Sequence, residues 1–317
     1  MDKKKDLTVF RNRSVRACIG DGYQLYVANF YRIFRSSWLT AVGYALAFSL
    51  LTSYFIAEYP KLLIFNLMGP AALAQQSQWV LAMMGVMALA ALLFVVMAGV
   101  FFSQGVSALG EHQARGSISA ARKWYGRLDR HALGRTFMAL GWSLLVYLVI
   151  AVLMAGFSVL AMRLMSRFVG MAFVGVMALV VIVLTLPLSF VFVKYLLTPK
   201  SSFVRLLGSS YGIGLRHLGA IFMVSLVVGI VTALLSCIIE LPSNILYVAN
   251  VQSQVGVLQG DPAGMPAYMS WMNLLVFAIA GFIQAYVHLS AIFPYYYIYG
   301  KIEADETERK QQTKIMK

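Results

Sequence analysis

The sequence predicts an all-α polytopic membrane protein with six transmembrane helices, and three observations support this prediction. The chain of 317 residues is 60% hydrophobic and 12% charged, whereas soluble proteins carry roughly 25% charged residues. Six apolar stretches are each long enough to form a helix that crosses a bilayer. Most Lys and Arg residues fall in four of the seven segments that flank these stretches.

Each apolar stretch meets the length and polarity requirements of a transmembrane helix. A helix that rises 1.5 Å per residue needs about 20 residues to cross a hydrocarbon core about 30 Å thick. None of the stretches contains Asp, Glu, Lys or Arg, which are costly inside a bilayer. The predicted spans are residues 38–57, 79–102, 136–160, 169–193, 218–239 and 271–293.

The 26 Lys and Arg residues predict the orientation of the chain, because basic residues close to a span are retained in the cytosol. Of these, 23 lie before span one, after spans two and four, and after span six. The opposite side carries only Lys61, Arg163 and Arg167. We therefore expect a basic cytosolic N-terminal segment with an interfacial helix (1–37), a six-helix membrane domain (38–300) and a charged cytosolic C-terminal tail (301–317).

Each odd-numbered span is preceded by a basic segment whose apolar residues recur at helical spacing. Such a segment favours an amphipathic helix that lies in the headgroup plane on the cytosolic side. The apolar positions are Tyr23, Tyr26, Val27, Phe30 and Phe34 before span one, Ile118, Ala121, Tyr125, Leu128 and Ala132 before span three, and a weaker set of Phe203, Leu206, Leu207 and Ser210 before span five.

The even-numbered spans indicate that one amphipathic segment and two spans form a repeated unit. Pro187 precedes Lys194, and Pro294 precedes Lys301, by the same seven residues at the ends of spans four and six. Span two has no such Pro. All three units would start in the cytosol, so the fold is predicted to contain three parallel hairpin repeats, unlike the inverted repeats of many secondary transporters.

The basic segments predict contacts with anionic lipid headgroups of the cytosolic leaflet. Each Lys or Arg near an anionic membrane surface contributes about 1 kcal/mol of attraction. A net charge of +14 also raises the question of a nucleic-acid partner, but the charge is divided among four juxtamembrane segments, so we expect none. The residues predicted to contact anionic lipid are Arg32, Arg35, Arg122, Lys123, Arg127 and Arg130.

Aromatic residues at the span ends are expected to anchor the chain at the membrane interfaces. An aromatic ring there can bury its apolar body while its polar group stays hydrated. The tyrosines after span six are therefore predicted to belong to an interface belt. The residues concerned are Trp38, Trp79, Trp271, Tyr295, Tyr296, Tyr297 and Tyr299.

Two motifs resemble a group of bacterial membrane proteins. FYRIFRSSW leads into span one and AIFPYYYIYGKIEADE ends span six. Together with six spans in three hairpins, they resemble the YciC-like family and the membrane domain attached to some glycerophosphodiester phosphodiesterases. The resemblance covers most of the chain and implies a multi-pass protein of the bacterial cytoplasmic (inner) membrane with a largely undefined role. No phosphodiesterase domain is present in this sequence, and no catalytic residue is carried over.

His288 is the one histidine inside a span, and Gln284 lies four residues earlier on the same helical face. Gly281 and Ala285 offer a small-residue surface for close helix approach. Ionisable groups inside a membrane often line a substrate or proton pathway. A neutral histidine can equally be held by a hydrogen bond to a neighbouring helix. Both a pathway and structural packing are therefore interpretations of His288 and Gln284.

Glu58 and Glu240 mark the outer ends of spans one and five and are candidate binding residues of the outer face. They could meet across the bundle and bind a cation or a polar headgroup, or they could be exposed helix ends. The connection from 241 to 268 contains one charged residue, Asp261. Because so weakly charged a segment is a poor free loop in water, we expect it to pack on the outer face as a cap or a partner surface.

The carboxylates of the C-terminal tail are expected to form ion pairs along a single helix. Asp305 and Arg309, and also Glu306 and Lys310, are spaced one helical turn apart. This spacing is typical of a solvated helix surface and does not indicate a catalytic group.

The remaining titratable residues form no catalytic or metal-binding motif. His112, His131 and His217 are expected on or near the cytosolic face, and no two histidines have the spacing of an HExxH site. The sequence contains no Walker-type loop, GxSxG elbow or dinucleotide fingerprint. We therefore predict no catalytic residue, no metal site and no cofactor.

Three functional interpretations are consistent with the sequence. The first is a non-catalytic integral membrane protein, a membrane scaffold or envelope-maintenance protein, whose hairpins surround a lipid-facing cleft. The second is a transporter or permease for a small or amphipathic molecule, with His288 and Gln284 in its path. The third is a lipid-modifying membrane enzyme, although no paired acid and base can be assigned to one depth. Expected partners are membrane lipids, with a membrane-protein partner or a homo-oligomer as a further alternative.

Overall fold

The computed structural model describes residues 9–68, 77–119, 128–198, 201–258, 260 and 264–315. The elements that these residues form are seven α-helices. They are α1 (Val15–Met68), α2 (Ser77–Arg115), α3 (Arg130–Leu164), α4 (Arg167–Leu197), α5 (Phe203–Arg216), α6 (Leu218–Leu258) and α7 (Tyr268–Ile315).

Six of the seven helices are long and apolar enough to cross a membrane. Each of the six contains one of the predicted spans, and α5, with 14 residues, is the exception. The prediction of a multi-pass, all-helical membrane protein is therefore confirmed at this level. The helices extend beyond the predicted spans, and both expected segment boundaries fall inside a helix, residue 37 in α1 and residue 301 in α7.

The outer surface of the hairpin formed by α3 and α4 is almost entirely apolar. Leu148 of α3 and Leu179 of α4 expose 64% and 65% of their surfaces, and most of their neighbours are also exposed. In water, so large a contiguous apolar surface would drive association. Hydrocarbon solvates it without cost, so this surface fits contact with lipid tails.

The first and last helices form the most extensive pairing in the bundle, and the segments just before α1 and near the end of α7 lie at the same end. Asn12 Nδ2 donates to Glu308 Oε2 at 3.5 Å, and we call this end of the bundle the terminal end and the opposite one the far end. Gly22 of α1 faces Pro294 of α7, where an added Cβ would lie 2.6 Å from the proline nitrogen. The backbones of α1 and α7 therefore touch at this point, which only glycine permits.

A similar contact joins α4 to α5. A Cβ added to Gly214 would lie 2.9 Å from Pro187 Cβ. Pro187 and Pro294, which each precede a Lys by seven residues, thus both contact a glycine. In each case the glycine belongs to the segment that precedes an odd-numbered span. The structure does not describe residues 120–127, so no corresponding contact is known for the segment before span three.

The core is concentrated toward the terminal end of the bundle. Tyr296 and Tyr297 are 0% and 1% exposed and belong to a cluster with residues of α1, α2 and α4. Tyr296 receives the T-shaped approach of the His112 ring at 5.8 Å, and Tyr297 lies under the Arg13 guanidinium at 5.0 Å. The prediction that these two tyrosines form an interface belt was wrong, because packing by other helices excludes them from the membrane surface.

The three amphipathic segments differ in structure. Residues 23–34 continue without interruption into span one as part of α1, and Tyr26 is buried whereas Val27 is exposed. The segment before span three is described only at its two ends, where Ile118 and Ala132 are buried and Leu128 is exposed; Ala121 and Tyr125 lie outside the described residues. The segment before span five forms the separate helix α5, which buries Phe203, Leu206 and Ser210.

The far end differs from the expected loop. Helix α6 runs on through Leu258, well past the predicted end of span five at residue 239. Gln254 Nε2 donates to the carbonyl of Ala57 at 3.1 Å, so this extension packs along the far end of α1. Residues 259 and 261–263, including Asp261, lie outside the described part of the chain.

Candidate functional site

A continuous polar face runs along α6, although the helix is apolar overall. Its members recur every three or four residues, which places them on one side of the helix. The face looks toward α7, and at the far end toward α1. We call it the polar face of α6, and it consists of Ser225, Gly229, Thr232, Ser236, Glu240, Ser243, Tyr247, Asn250 and Gln254.

The predicted pair Gln284 and His288 contacts the middle of this face. The Gln284 amide lies 3.0 Å from His288 Nε2 and also donates to Ser236 Oγ. Donation to Nε2 requires the His288 ring proton to be on Nδ1. Gln284 is only 4% exposed, and its Oε1 has no partner among the described residues. Contacts between helices thus satisfy the Gln284 amide nitrogen, while its oxygen can still accept a hydrogen bond.

A cleft of about 340 Å³ opens where the α3–α4 hairpin meets α6 and α7. Its walls combine hydroxyl groups with hydrocarbon side chains such as Val146, Ile182 and Leu186. We call it the hydroxyl cleft. The hydroxyl groups belong to Ser143, Tyr147, Thr185, Ser189, Ser225 and Tyr295.

Most hydroxyl donors of this cleft are already used. Ser143, Thr185 and Ser189 each donate to the carbonyl three residues earlier in the same helix, at 2.7–2.8 Å. Tyr295 donates to Ser225 Oγ at 3.0 Å and links α7 to α6. A hydroxyl that has given its proton to the backbone retains only acceptor capacity. The cleft therefore offers apolar walls and weak acceptors, with no charge among the described residues that line it.

A second cleft, of about 220 Å³, lies among α1, α6 and α7 nearer the far end. Glu240 is the charged residue among those that line it, and Thr52, Ser243 and Asn244 add polar groups. We call it the acidic cleft. Four aromatic rings complete its lining, those of Phe48, Phe55, Tyr247 and Phe277.

The second predicted acid, Glu58, does not join Glu240. Its carboxylate pairs with Lys61 on the same helix at 2.9 Å. The neighbouring Ala57 contacts Gln254, which lies fourteen residues beyond Glu240 on α6. At 1.5 Å per residue this separates the two levels by about 21 Å. The structure thus gives Glu240 a site of its own and leaves Glu58 paired with Lys61 inside α1, ten residues before that helix ends at Met68.

Ion pairs at the terminal end connect α7 to its neighbours. Glu306 Oε1 lies 3.2 Å from Arg216 of α5 and 3.4 Å from His217 Nε2. Glu303 accepts from Lys194 of α4 at 2.6 Å. The expected pair of Glu306 with Lys310 is therefore replaced by contacts between helices, because the packed bundle brings α5 closer to the carboxylate than its own next turn.

Asp305 also departs from its expected partner. It pairs with Lys301 at 2.5 Å, one turn earlier in α7, and not with Arg309. Arg309 instead approaches Glu306 at 3.9 Å. The tail is thus packed in the bundle as far as Glu306, and α7 continues from there as an exposed helix to Ile315.

The basic residues predicted to contact lipid are only partly described. Arg32, Arg35 and Arg130 are exposed, and Arg32 donates to the carbonyl of Ile118 at 2.7 Å. A basic residue that the prediction omitted is Arg135, which stacks over the Tyr195 ring at 4.2 Å and donates to Ser201 at 3.1 Å. The other three predicted residues, Arg122, Lys123 and Arg127, lie outside the described residues.

The described residues contain no group of three or more His, Cys, Asp or Glu side chains placed to hold a metal ion. His112 Nδ1 and the Tyr296 hydroxyl lie 3.0 Å apart, in the core of the terminal end. His217 contacts the Glu306 carboxylate, and His288 forms a hydrogen bond with the Gln284 amide. These three histidines thus belong to separate networks.

The sequence of this chain matches no protein-family model, no curated protein and no solved structure. The resemblance to the YciC-like family therefore stays a prediction. The two clefts and the polar face of α6 are the features that bear on function.

Proposed function

We propose that this protein is a non-catalytic integral protein of the bacterial cytoplasmic membrane that holds a lipid in the hydroxyl cleft, in a scaffold or envelope-maintenance role. The observation that carries the proposal is the cleft itself. Its volume of about 340 Å³ lies within the range of roughly 300–1,000 Å³ occupied by small-molecule sites. Its opening between membrane-spanning helices makes the surrounding bilayer the natural source of an occupant.

The chemistry of the lining favours a hydrocarbon chain as the bound group. An ionised group would have to leave its hydration shell and would find no opposite charge among the described residues of the cleft. The hydroxyl groups that already donate to their own helix do not need a hydrogen-bond acceptor from the ligand, so a hydrocarbon chain leaves no donor unsatisfied. The lipid headgroup would then lie toward the terminal end, where Arg135 and Lys194 are found on α3 and α4.

A binding role fits the lining better than a lipid-modifying reaction does. Nucleophilic catalysis by a hydroxyl requires an adjacent base within hydrogen-bond reach. Ser143, Thr185 and Ser189 have backbone carbonyls as partners instead, and Tyr295 has Ser225. A carbonyl cannot take up the proton of an attacking hydroxyl.

The proposal includes the topology and the repeat. Both termini would be cytosolic, with exposed Arg32, Arg35 and Arg130 in reach of anionic headgroups. Two contacts support three parallel repeats of an amphipathic helix and a hairpin: Pro187 against Gly214, and Pro294 against Gly22. In this scheme each even-numbered span packs on the amphipathic helix of the next unit, and the last unit closes on the first.

Mass spectrometry of the intact protein after purification in mild detergent tests the lipid proposal. Wild-type protein is expected to retain phospholipid, and Ser189→Leu, which fills the cleft, is expected to retain several-fold less. Ser158→Leu is the matched control, because Ser158 also donates to its own helix but does not line the cleft. A bare wild-type chain, or equal retention by both variants, would count against the proposal.

A permease is the second candidate, and the network around Gln284 is the observation that favours it. Ser236 of the polar face of α6 forms a hydrogen-bonded set with Gln284 and His288 of α7, between the two clefts. His288→Ala should then reduce the flux of a transported molecule into proteoliposomes. Unchanged flux in a correctly folded variant would remove His288 from the pathway.

A further inference from the structure

We propose that the acidic cleft binds a lipophilic organic cation, with the ammonium head of the ligand at Glu240 and its apolar body among Phe48, Phe55 and Phe277. The site lies on the opposite half of α6 from the hydroxyl cleft. It is therefore independent of the lipid proposed there.

Glu240 is a half-buried carboxylate that lines the acidic cleft. None of the residues that the structure describes forms a hydrogen bond or an ion pair with it. Tyr44 of α1 and His288 of α7 lie within electrostatic reach of it, and Tyr247 lines the same cleft. A carboxylate in a partly apolar cleft is costly unless a cation neutralises it.

Ser243 supplies a second observation that points to a ligand. Its side chain is 6% exposed and lines the same cleft one turn beyond Glu240. Its Oγ is buried and has no hydrogen-bond partner among the described residues. The other serines that line a cleft in this bundle donate to their own helix or accept from a tyrosine. A bound ammonium group would give the Ser243 oxygen a donor.

The aromatic lining specifies an organic cation. Rings attract a cation placed over their faces, by about 0.5–2 kcal/mol for each interaction, depending on how far the cation is desolvated. Four of the nine residues that line the cleft are aromatic. Phe48 is held directly against α7, because Gly281 leaves no Cβ in its way: an added Cβ would lie 2.7 Å from Phe48 Cδ1.

A metal ion fits this lining less well. Ca²⁺ requires six to eight oxygen ligands, and Mg²⁺ requires a near-ideal octahedron. The described residues of the cleft offer one carboxylate, and the other oxygens of the lining belong to the neutral side chains of Thr52, Ser243, Asn244 and Tyr247. A single negative charge surrounded by rings suits a monovalent cation with an apolar body.

The depth of Glu240 in the bundle also suits an amphiphile. Glu240 lies 22 residues beyond Leu218, where α6 begins at the terminal end, which corresponds to about 33 Å along the helix. A hydrocarbon core is about 30 Å thick. The carboxylate is therefore at the level of the opposite headgroup region, where an amphiphile carries its charged head while its apolar body reaches inward.

Equilibrium binding of tetraphenylphosphonium to the purified full-length protein in detergent tests the proposal. Glu240→Gln keeps the shape of the side chain and removes its charge, so its affinity should fall at least tenfold. Glu58→Gln is the matched control and should stay within twofold of wild type, because Glu58 is paired with Lys61 outside the cleft. Equal affinities of wild type and Glu240→Gln would overturn the proposal.

Phe55→Ala provides a second variant in case Glu240→Gln does not fold. Phe55 is exposed at the cleft, so its removal should leave the fold intact and weaken tetraphenylphosphonium binding several-fold. If Phe55→Ala binds as wild type and Na⁺ competes with the probe, the site is one for a small inorganic ion and the proposal fails.

The natural ammonium group could belong to a free amphiphilic amine or to an ethanolamine lipid. Competition in nanodiscs distinguishes these sources. Displacement of the probe by phosphatidylethanolamine, but not by phosphatidylglycerol, would support the lipid headgroup. Displacement by dodecylamine alone would support the free amine. If neither competes, the site does not recognise an ammonium group and the proposal fails.

Discussion

Glu306 illustrates how one buried carboxylate joins several helices at the terminal end. Its residue is 8% exposed, and its oxygens meet Arg216 at the end of α5 and His217 just before α6. When one member of a buried ion pair loses its charge, the charged group that remains loses the partner that compensated its desolvation. Glu306 is therefore expected to contribute to stability, although it lies in a tail that the sequence predicts to be solvated.

Glu306→Gln is expected to destabilise the protein by about 1 kcal/mol, because it removes charge-assisted hydrogen bonds, which stabilise by about 1.5–3 kcal/mol when shielded from water, and solvent screens the half-exposed Arg216 side chain. Thermal unfolding in detergent measures the effect. Glu308→Gln is the control, since Glu308 is exposed and makes only a long contact with Asn12. Equal melting temperatures for the two variants would mean that the Glu306 network is not formed.

Gln284 and Ser236 are expected to be energetically coupled across the α6–α7 contact. A double-mutant cycle of Gln284→Leu and Ser236→Ala should give a coupling energy of about 0.6 kcal/mol, and at most about 1.7 kcal/mol, as found for hydrogen bonds between membrane helices. Ser290→Ala combined with Gln284→Leu should be additive, because Ser290 donates within its own helix. Additivity in both cycles would exclude the bond between the helices.

At the residue scale, sequence patterns revealed pairs within one helix but not between helices. Gln284 and His288 could be paired from their spacing alone. Their third partner, Ser236, and the contact of Glu306 with Arg216 depend on the register between helices, which spacing within one helix does not specify. The polar face of α6 is visible in the sequence as a spacing of three and four residues, but Glu240 is its one charged member, and the spacing within α6 does not specify which helix the face contacts.

At the scale of elements, two glycines fix how helices approach each other. Gly22 lets α1 reach the backbone of α7 at Pro294, and Gly214 lets α5 reach α4 at Pro187. A proline inside a helix has no N–H and bends its helix. A glycine opposite it removes the Cβ that would otherwise separate the two backbones.

Gly22→Ala is expected to destabilise the bundle by about 1–3 kcal/mol, as overpacking does. Gly20→Ala is the matched control on the same helix, because nothing lies within 4 Å of its added Cβ. That control should be neutral or stabilising by up to about 1 kcal/mol, because alanine favours a helix. Thermal unfolding compares the variants, and a Gly22→Ala protein as stable as Gly20→Ala would contradict the contact.

The presence of the six long helices could be predicted more reliably than the residues at which they begin and end. Hydropathy located all six long helices, because a span must be apolar over its whole length. It did not predict that α1 would be continuous from Val15 to Met68. No Gly or Pro separates Arg35 from Trp38, so nothing interrupts the helix before span one. The residues before span five instead end a helix at Arg216, just after Gly212 and Gly214.

At the scale of the whole molecule, the distribution of basic residues predicts a single topology. A fluorescent protein fused after Ser202 or Lys310 is expected to report a cytosolic position, and alkaline phosphatase fused after Arg163 or Gln259 is expected to be active outside the cytosol. Activity assays of an alkaline phosphatase and a fluorescent reporter at each position measure this. A cytosolic signal at position 259 would overturn the six-span arrangement.

The bundle as a whole packs tightly toward the terminal end and leaves two clefts between its helices. The helix count and the lipid-facing surfaces follow from composition, because a bilayer imposes them on any chain of this length and polarity. The clefts depend on which helices become neighbours. That choice is made by contacts such as Gly22 with Pro294 and Glu303 with Lys194, which no single segment of the sequence contains.

Photocrosslinking from within the hydroxyl cleft tests the lipid-binding proposal most directly. A photoreactive amino acid at Leu188, which lines the cleft, is activated after the protein has been purified and washed in detergent. The proposal predicts a phospholipid adduct in the intact mass at this position. The same group at Leu179, which is exposed on the outer surface of α4, should give none once bulk lipid is removed. No adduct at Leu188, or equal adducts at both positions, would contradict a lipid held in the cleft.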